Sequence, residues 1–335
     1  MPEEKTHKIL VLELWGIGDV VMMSAVLAPL RRAYPDAEIS VLCQEHGREV
    51  LRENKEIGSF VCFTFPWTAF RHKYHFWTWD SRGLWRTLKA LRQEKFDLLL
   101  DARGDPRNDL LAFLIGARRI VARSHGPRRE HRVEHWKELL RRLDIPLVDL
   151  SPSITLTNEE RAEAAAFLTQ HFPEKPRTVI AVHPGARIIT RRWPMERFRE
   201  VLRGLRADGH DKVLVFVEPD GYGQELSQEK GVIPVQVSLR RMIVILSRVD
   251  VLICNDGGAM HLAAAVGARV VAVFGPTDPV VFAPYGAGHE IVVQDNVPCR
   301  PCFDRCRYKR PMCFDQITAR DVLTALRRVL KEGRS

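Results

Sequence analysis

Short apolar runs alternate with segments of helical length along the first half of the chain. The runs cover residues 8–14, 38–43, 60–65, 96–101 and 119–122. After the first run, a stretch of helical length continues over residues 20–34 and ends before Pro35. Strands that alternate with helices are typical of βαβ units, so this half predicts a parallel sheet with helices on both faces.

Residues 144–153 interrupt this pattern with two prolines and several turn residues. We place a boundary there, between an N-terminal lobe, 1–150, and a C-terminal lobe, 151–335. The alternation then resumes, with strands predicted at 178–183, 212–217, 251–255 and 270–274 and helices at 194–207 and 318–330. The last helix could pack back on the N-terminal lobe. The pattern predicts an α/β fold of two Rossmann-like lobes with a cleft between them, and ligands beyond the carboxyl ends of the strands.

Composition narrows the class of protein. The chain has 335 residues, enough for about two domains, and no apolar run approaches the roughly 18–20 residues of a membrane span. Its first residues lack the basic and then apolar pattern of a signal peptide, so we expect a cytoplasmic protein. The net charge of +9 is spread over both halves, which disfavours a nucleic-acid-binding lobe. It suits an anionic substrate, an anionic membrane surface or a solvated basic surface.

The first candidate for chemistry follows the first strand, where the chain reads Gly16-Ile17-Gly18-Asp19. Small residues let a ligand or a neighbouring lobe approach the backbone. The third glycine of the dinucleotide fingerprint is replaced by Val21, which weakens the alternative of a nicotinamide-dependent oxidoreductase. Asp19 lies where a helix begins. It could cap that helix, or it could accept a proton as a carboxylate that the helix N-terminus keeps ionised.

A second candidate follows the strand at 178–183. The chain passes through His183 and Gly185 into a basic loop with Arg191, ahead of a helix predicted to begin at Pro194. Cations beside a helix N-terminus form an anion site, for which a diphosphate is a natural ligand. A solvated basic loop is the alternative.

A third candidate follows the strand at 251–255, where Asp256, Gly257 and Gly258 lead into a helix of small residues. Consecutive glycines at a helix start leave backbone N–H groups free for phosphate. His261 lies in the first turns of that helix, where a structural role is the alternative to ligand binding. Residues 274–279 follow the next strand at the same edge of the sheet and are typical of a turn.

The cysteines are unevenly distributed, and four of seven fall in one short segment: Cys299, Cys302, Cys306 and Cys313. The C-x2-C-x3-C-x6-C spacing could bind structural zinc or an iron–sulfur cluster, and spacing alone does not select between them. Reduced cysteines packed in a loop are the alternative. A cytoplasmic setting argues against structural disulfides, and we assign no catalytic role here.

Residues 60–85 hold ten of the chain's 27 aromatic residues, interleaved with Arg71, His72, Lys73 and Arg82. Amphipathic aromatic side chains mixed with cations suit a lipid–water interface. Our hypothesis is that this stretch meets the membrane or the lipid part of an acceptor. A buried, aromatic-rich loop and helix would explain the same composition.

Four blocks, taken in order, resemble glycosyltransferase family 9. They are GDVVMMSAVLAPLRRAYPDAEI from residue 18, HPGA and RRWP from residues 183 and 191, NDGGAMHLAAAVGARVVAVFGPTDP from residue 255, and the cysteine run. The resemblance covers about residues 8–330, and the block at 254–279 is its most specific part. The family contains the ADP-heptose:lipopolysaccharide heptosyltransferases, and its fold is GT-B.

The resemblance implies an inverting transfer of heptose from ADP-heptose to a lipopolysaccharide core acceptor, without an essential metal. The family's candidate base falls on Asp19, with Gly16 and Gly18 on the acceptor side. Its cationic phosphate ligand, usually the lysine of K-x-W-P, falls on an arginine, which keeps the charge and changes the geometry. The donor-binding residues expected by resemblance and position are His183, Gly185, Arg191, Glu225, Asp256, Gly257, Gly258 and His261.

Two details of the donor side depart from the family's usual pattern. The usual loop reads D-T/S-G-x-x-H, so Gly257 removes a hydroxyl. The loop after the strand at 212–217 has extra residues, and we expect Glu225 to hold the ribose, with Glu218 second.

The expected partners are a nucleotide-sugar donor and a lipid-linked oligosaccharide acceptor, with peripheral contact at the cytoplasmic face of the inner membrane and no nucleic acid. A GT-B transferase that uses another nucleotide sugar and a nicotinamide-dependent oxidoreductase remain as alternatives.

Overall fold

A computed structural model describes residues 6–69, 79–126, 128–148, 150–174, 176–308 and 311–332. The chain divides into two compact units, Met1–Ile154 and Thr155–Ser335. The division lies at the end of the proline-containing segment 144–153, close to the boundary expected at residue 150. Each unit has its own sheet and its own buried core.

In the part of the chain that the structure describes, the first unit contains a five-stranded parallel sheet. Its strands are β1 (Lys8–Glu13), β2 (Glu38–Cys43), β3 (Ser59–Cys62), β4 (Leu98–Asp101) and β5 (Arg119–Ala122), in the order β3-β2-β1-β4-β5. The helices are α1 (Ile17–Met23), α2 (Leu27–Ala33), α3 (Glu45–Leu51), α4 (Ser81–Gln93), α5 (Pro106–Ile115) and α6 (Arg132–Arg141). Each apolar run of this half forms a strand, which confirms the α/β class.

The helix predicted over residues 20–34 is divided into two. α1 begins earlier than predicted, a 3₁₀ turn occupies Ser24–Val26, and α2 begins at Leu27. Pro29 has no backbone N–H, so it cannot donate to a carbonyl one turn earlier. Proline is tolerated in the first turn of a helix, which is where the restart at Leu27 places it.

The strand order of the first sheet reverses between β1 and β4. These two strands are neighbours, with Leu12 opposite Asp101, and they end at Glu13 and Asp101. In open α/β sheets a ligand crevice forms at such a reversal, beyond the carboxyl ends of the strands. The loop that carries Asp19 starts at this reversal.

The second unit is built on a six-stranded parallel sheet among its described residues. The strands are β6 (Ile180–His183), β7 (Val213–Phe216), β8 (Val232–Val235), β9 (Val251–Asn255), β10 (Arg269–Phe274) and β11 (Glu290–Val293), in the order β11-β10-β9-β6-β7-β8. The helices are α7 (Asn158–His171), α8 (Met195–Ala207), α9 (Leu239–Leu246), α10 (Gly258–Ala265), α11 (Pro279–Phe282) and α12 (Ala319–Glu332). The order reverses between β6 and β9, so the loops after these two strands meet at a second crevice.

Strands β8 and β11 have no counterpart in the sequence prediction. Each is four residues long at an edge of the sheet, with a single buried residue. An edge strand that is half exposed lacks the continuous apolar run by which the central strands were recognised.

The last helix, α12, packs within the second unit, and not on the N-terminal lobe as the sequence allowed. Its apolar face, with Val322, Leu326 and Val329, is buried in the core that also contains α8. Gly204 of α8 allows this close packing, because a Cβ there would lie 2.3 Å from Leu323 of α12. Through this contact α12 covers one face of the sheet.

Among the described residues, none of the helices combines the length and the hydrophobicity that crossing a bilayer requires.

Candidate active site

Asp19 lies in the first turn of α1, for which Gly16 is the N-cap residue. Its Oδ2 accepts a hydrogen bond from the Gly16 N–H at 3.3 Å, and its Oδ1 lies 3.4 Å from Nη1 of Arg103. Gly16 and Gly18 are half-buried beside it. Asp19 is therefore not the N-cap residue of α1. It is the third residue of the helix, and its carboxylate accepts a hydrogen bond from the N-cap residue Gly16. Its side chain is 23% exposed, which leaves the carboxylate accessible to a ligand.

Charged groups next to Asp19 come from the end of β4. The guanidinium of Arg103 lies 4.0 Å from the centre of the Trp15 ring. The backbone N–H of Arg103 donates a hydrogen bond to Oδ1 of Asp101 at 3.2 Å. The pKa of Asp101 is raised to about 6, because the raising effect of burial exceeds the lowering effect of a hydrogen bond from Asn108. Asp101 and Arg103 were not predicted as site residues from the sequence. The available signal was an acidic residue at the end of an apolar strand, followed closely by an arginine.

In the second unit, Asn255 connects the loops at the reversal between β6 and β9. Its Nδ2 donates to the carbonyl of Pro184 at 2.6 Å, and its Oδ1 accepts from the backbone N–H of Trp193 at 3.0 Å. One buried amide thus holds the turn after β6 and the segment before α8 against the end of β9. Two predicted candidate segments are thereby brought to one edge of the sheet.

Arg191 lies between two carboxylates at this edge. Its Nη1 is 3.1 Å from Oδ2 of Asp256, while its Nε and Nη2 bind the carboxylate of Asp304 at 2.9 and 2.6 Å. The hydroxyl of Thr277 donates to Asp256 at 2.6 Å, so this almost fully buried carboxylate is held from two sides. The sequence predicted Arg191 and Asp256 as site residues. It carried no local signal for Asp304, which lies 113 residues from Arg191.

The start of α10 lies next to Asp256. Gly257 is its N-cap residue, and a Cβ at Gly257 would meet no atom within 4 Å. Packing therefore does not require glycine there, and the space beside the helix start is open. The N–H groups from Gly258 onward and the helix dipole favour an anion in such a place. His261 lies on the same helix and is buried.

His183 is the last residue of β6, and its Nε2 lies 3.4 Å from Oε1 of Glu218. The hydrogen bond with His183 holds the pKa of Glu218 below its usual value. A Cβ at Gly185 would lie 2.0 Å from the Glu218 carboxylate, so any larger residue there would require the Glu218 side chain to move. The structure thus groups Glu218 with two predicted donor-site residues. Glu225 is 57% exposed and lies 3.9 Å from Arg199, and its contact with a ribose stays a prediction.

The cysteine segment lies against the same edge. The N–H of Cys302 donates to the carbonyl of Pro276 at 3.0 Å, and Arg300 donates to the carbonyls of Gly275 and Thr277 at 2.6 and 2.9 Å. The four cysteines of the segment are free thiols. Within the described residues, no three His, Cys, Asp or Glu side chains are arranged to hold one metal ion. The side chains as placed do not form a zinc or iron–sulfur site, and metal binding stays a prediction.

The aromatic stretch has a buried part and an exposed part. Phe65 is fully buried and packs against Trp67 with ring centres 5.0 Å apart. Trp79 and Trp85 are 41% and 74% exposed. Residues 70–78, which include Arg71, His72, Lys73 and Trp77, lie outside the described residues.

Comparison with known proteins identifies the family of the chain. The sequence model of glycosyltransferase family 9 (heptosyltransferase) matches residues 84–312, more than two thirds of the chain. Lipopolysaccharide heptosyltransferase 1 of Pseudomonas aeruginosa is 24% identical, over 96% of this chain and 98% of its own length.

Solved structures show the same fold. The crystal structure of the glycosyl transferase family 9 from Veillonella parvula has a TM-score of 0.77 at 22% identity and covers 98% of this chain and 99% of that one. The E. coli ADP-heptose lipopolysaccharide heptosyltransferase II has a TM-score of 0.74 at 19% identity, with 98% and 100% covered.

These likenesses confirm the GT-B class of two Rossmann-like lobes. They do not favour the alternative of a nicotinamide-dependent oxidoreductase. The family match extends over parts of both units. The chain therefore belongs to glycosyltransferase family 9, the heptosyltransferase family.

Proposed function

We propose that this glycosyltransferase moves a heptose from ADP-heptose to a lipopolysaccharide core acceptor, with inversion at the anomeric carbon. The observation that carries the proposal is the anion site of the second lobe, where Arg191 lies 3.1 Å from Asp256 at the start of α10. Two relatives support the choice of substrates. One is a lipopolysaccharide heptosyltransferase and the other an ADP-heptose lipopolysaccharide heptosyltransferase.

The second lobe stabilises the leaving group. Negative charge develops on the diphosphate as its bond to the anomeric carbon breaks. Arg191 and the N–H groups at the start of α10 lie at one strand-end edge and can donate to the diphosphate oxygens. Asp304 pairs with two donor nitrogens of Arg191, so diphosphate binding exchanges that carboxylate for phosphate oxygens.

The first lobe activates the acceptor. The acceptor hydroxyl oxygen forms a bond to the anomeric carbon on the face opposite the departing diphosphate, and its proton passes to Asp19. Half-buried Gly16 and Gly18 let the acceptor sugar approach the backbone beside that carboxylate. Arg103 and the backbone N–H of Gly16 hold the Asp19 carboxylate in place at the start of α1, where it can take the proton.

The substrate assignment is tested with a panel of nucleotide sugars and purified protein. Release of nucleoside diphosphate is measured with and without lipopolysaccharide core acceptor. We expect acceptor-dependent ADP release from ADP-heptose. Acceptor-dependent release from a different nucleotide sugar alone would contradict the heptose assignment and identify another GT-B transferase.

We also propose that the protein works at the cytoplasmic face of the inner membrane, on a lipid-linked acceptor. Large apolar side chains are exposed on α4 and α5, which are neighbours joined by a hydrogen bond from Arg92 to the carbonyl of Leu114. Trp85 on α4 and Phe113 on α5 are 74% and 73% exposed. Exposed aromatic side chains on a lobe with basic residues suit an anionic lipid surface.

Liposome flotation tests the membrane proposal. We expect Trp85→Ser combined with Phe113→Ser to reduce binding to anionic vesicles by about tenfold or more, because the two exposed aromatic side chains proposed to insert into the lipid surface are lost. Trp77→Ser combined with Trp79→Ser tests the preceding stretch in the same way. Ile189→Ser, at a 76% exposed position of the second unit, is the matched control and should float like the parent. Unchanged flotation of both double variants would remove the proposal.

We propose that the transfer needs no metal, because Arg191 and the α10 N–H groups supply the positive charge. Activity should therefore be the same within about 20% in the presence of a chelator.

Elemental analysis separately tests zinc or iron at Cys299, Cys302, Cys306 and Cys313. Stoichiometric metal that Cys302→Ser with Cys306→Ser removes would establish a structural metal site. Metal-free parent protein would leave these residues as reduced thiols.

A further inference from the structure

Glu13 is a buried carboxylate that the steps above do not use. It is the last residue of β1 and is 7% exposed. Its Oε1 accepts a hydrogen bond from the backbone N–H of Trp15 at 3.2 Å. A glutamate at the buried end of a central strand is costly unless its surroundings compensate or use it. Its position at the reversal between β1 and β4 places it in the proposed acceptor site.

Glu13 and Asp19 line the same small cavity. Charged and titratable groups surround Glu13 from three other elements. They are Asp19 from α1, Asp101 and Arg103 from the end of β4 and the residues after it, and Arg132 and His135 from α6.

The electrostatics of this cavity favour the protonated form of Glu13. Burial raises the pKa of Glu13 well above its usual value, and the neighbouring Asp19 raises it further, whereas Arg103 lowers it. His135 adds no positive charge at neutral pH, because burial and the nearby arginines lower its pKa to about 3. Two carboxylates in a poorly solvated cavity bind a first proton more tightly than either would alone.

We propose that Glu13 and Asp19 act together as the general base of the transfer. The acceptor hydroxyl donates its proton to Asp19, and the pair holds that proton as a unit, which relieves the repulsion between the two carboxylates. Glu13 does not touch the sugar and is a positioning residue that acts through Asp19. This inference rests on the proposed role of Asp19 as the base.

The test is the pH profile of Glu13→Gln, with ADP release from ADP-heptose measured in the presence of deacylated core acceptor. Glutamine keeps the shape and removes the negative charge. The acid limb of kcat should therefore move to lower pH by about one unit, since Asp19 alone binds a proton less tightly. Above that limb, kcat should fall about tenfold, while the KM for ADP-heptose stays close to that of the parent. Glu13→Asp keeps the charge and should keep the acid limb near that of the parent.

Glu94→Gln is the matched control. Glu94 pairs with Lys8 at the opposite end of β1, and the same substitution there should leave both the limb and kcat unchanged. Glu13→Gln should unfold no more easily than the parent at pH 8. The folded pKa of Glu13 is raised, so its ionisation costs stability above its unfolded pKa, and glutamine removes that cost.

A second measurement does not depend on that variant. Infrared titration of the parent should show a protonated carboxyl group at pH values above those at which a glutamate usually ionises. In Asp19→Asn this group should lose its proton at a lower pH than in the parent. An unshifted acid limb in Glu13→Gln, or an infrared titration that Asp19→Asn does not change, overturns the inference while the proposed transfer stands. Absence of any transfer by the parent would instead contradict the proposed function.

Discussion

Replacing Asp19 with alanine is expected to lower kcat by about 10³-fold or more, while the Kd for ADP-heptose stays within about twofold of the parent value. Asp19 lies in the first unit and the proposed diphosphate site in the second, so the donor keeps its contacts. The variant has nothing at that position to take the hydroxyl proton. Steady-state ADP release and calorimetric titration of the donor measure the two quantities.

Asp19→Asn separates chemistry from helix capping. Asparagine can still accept the hydrogen bond from Gly16 N–H, but it cannot take a proton at neutral pH. The same substitution at Asp80 is the matched control. Asp80 caps α4 in the same unit through a hydrogen bond from Gly83 N–H at 2.8 Å, and asparagine caps equally well. If Asp19→Asn transferred sugar at the parent rate, Asp19 would be only a capping residue.

Replacing Arg191 with alanine is expected to lower kcat by about 10²- to 10³-fold and to weaken donor binding. Arg191 is the side chain that brings positive charge to the start of α10, where the leaving diphosphate is proposed to lie. Alanine also leaves the buried Asp256 without this cation, so stability should fall by about 1–3 kcal/mol. Kinetics and thermal unfolding are therefore measured together.

Arg191→Lys distinguishes the two effects. Lysine keeps a cation near Asp256 but cannot form the two-pronged contact of a guanidinium. We expect its stability to lie closer to the parent, with kcat about tenfold below the parent. Arg197→Ala is the control, because Arg197 forms a half-exposed pair with Glu200 on α8. A parental kcat in Arg191→Ala would assign leaving-group stabilisation to other residues.

Much of the candidate site follows from where the strands end. The segments after residues 14, 183 and 255 were selected because glycines and charged residues follow apolar runs there. Parallel strands end at one edge, so these segments had to lie near one another within each lobe. Arg191 and Asp256 meet for this reason. The role of Asp304 had no such signal, because it lies in a loop between cysteines.

The sequence by itself determined the class of fold and which glycine-containing and charged segments follow the central strands, and it placed a boundary near the division between the two units. Hydrophobic periodicity, glycine turns and proline positions are local properties, so they can be recognised in the sequence without knowledge of distant contacts. Only the tertiary structure decided that Asp304 binds Arg191, that Glu218 lies beside His183, and that the buried Glu13 lines the same cavity as Asp19. Burial and the pairing of charges depend on chain segments far apart in sequence, and no local pattern records which of them meet.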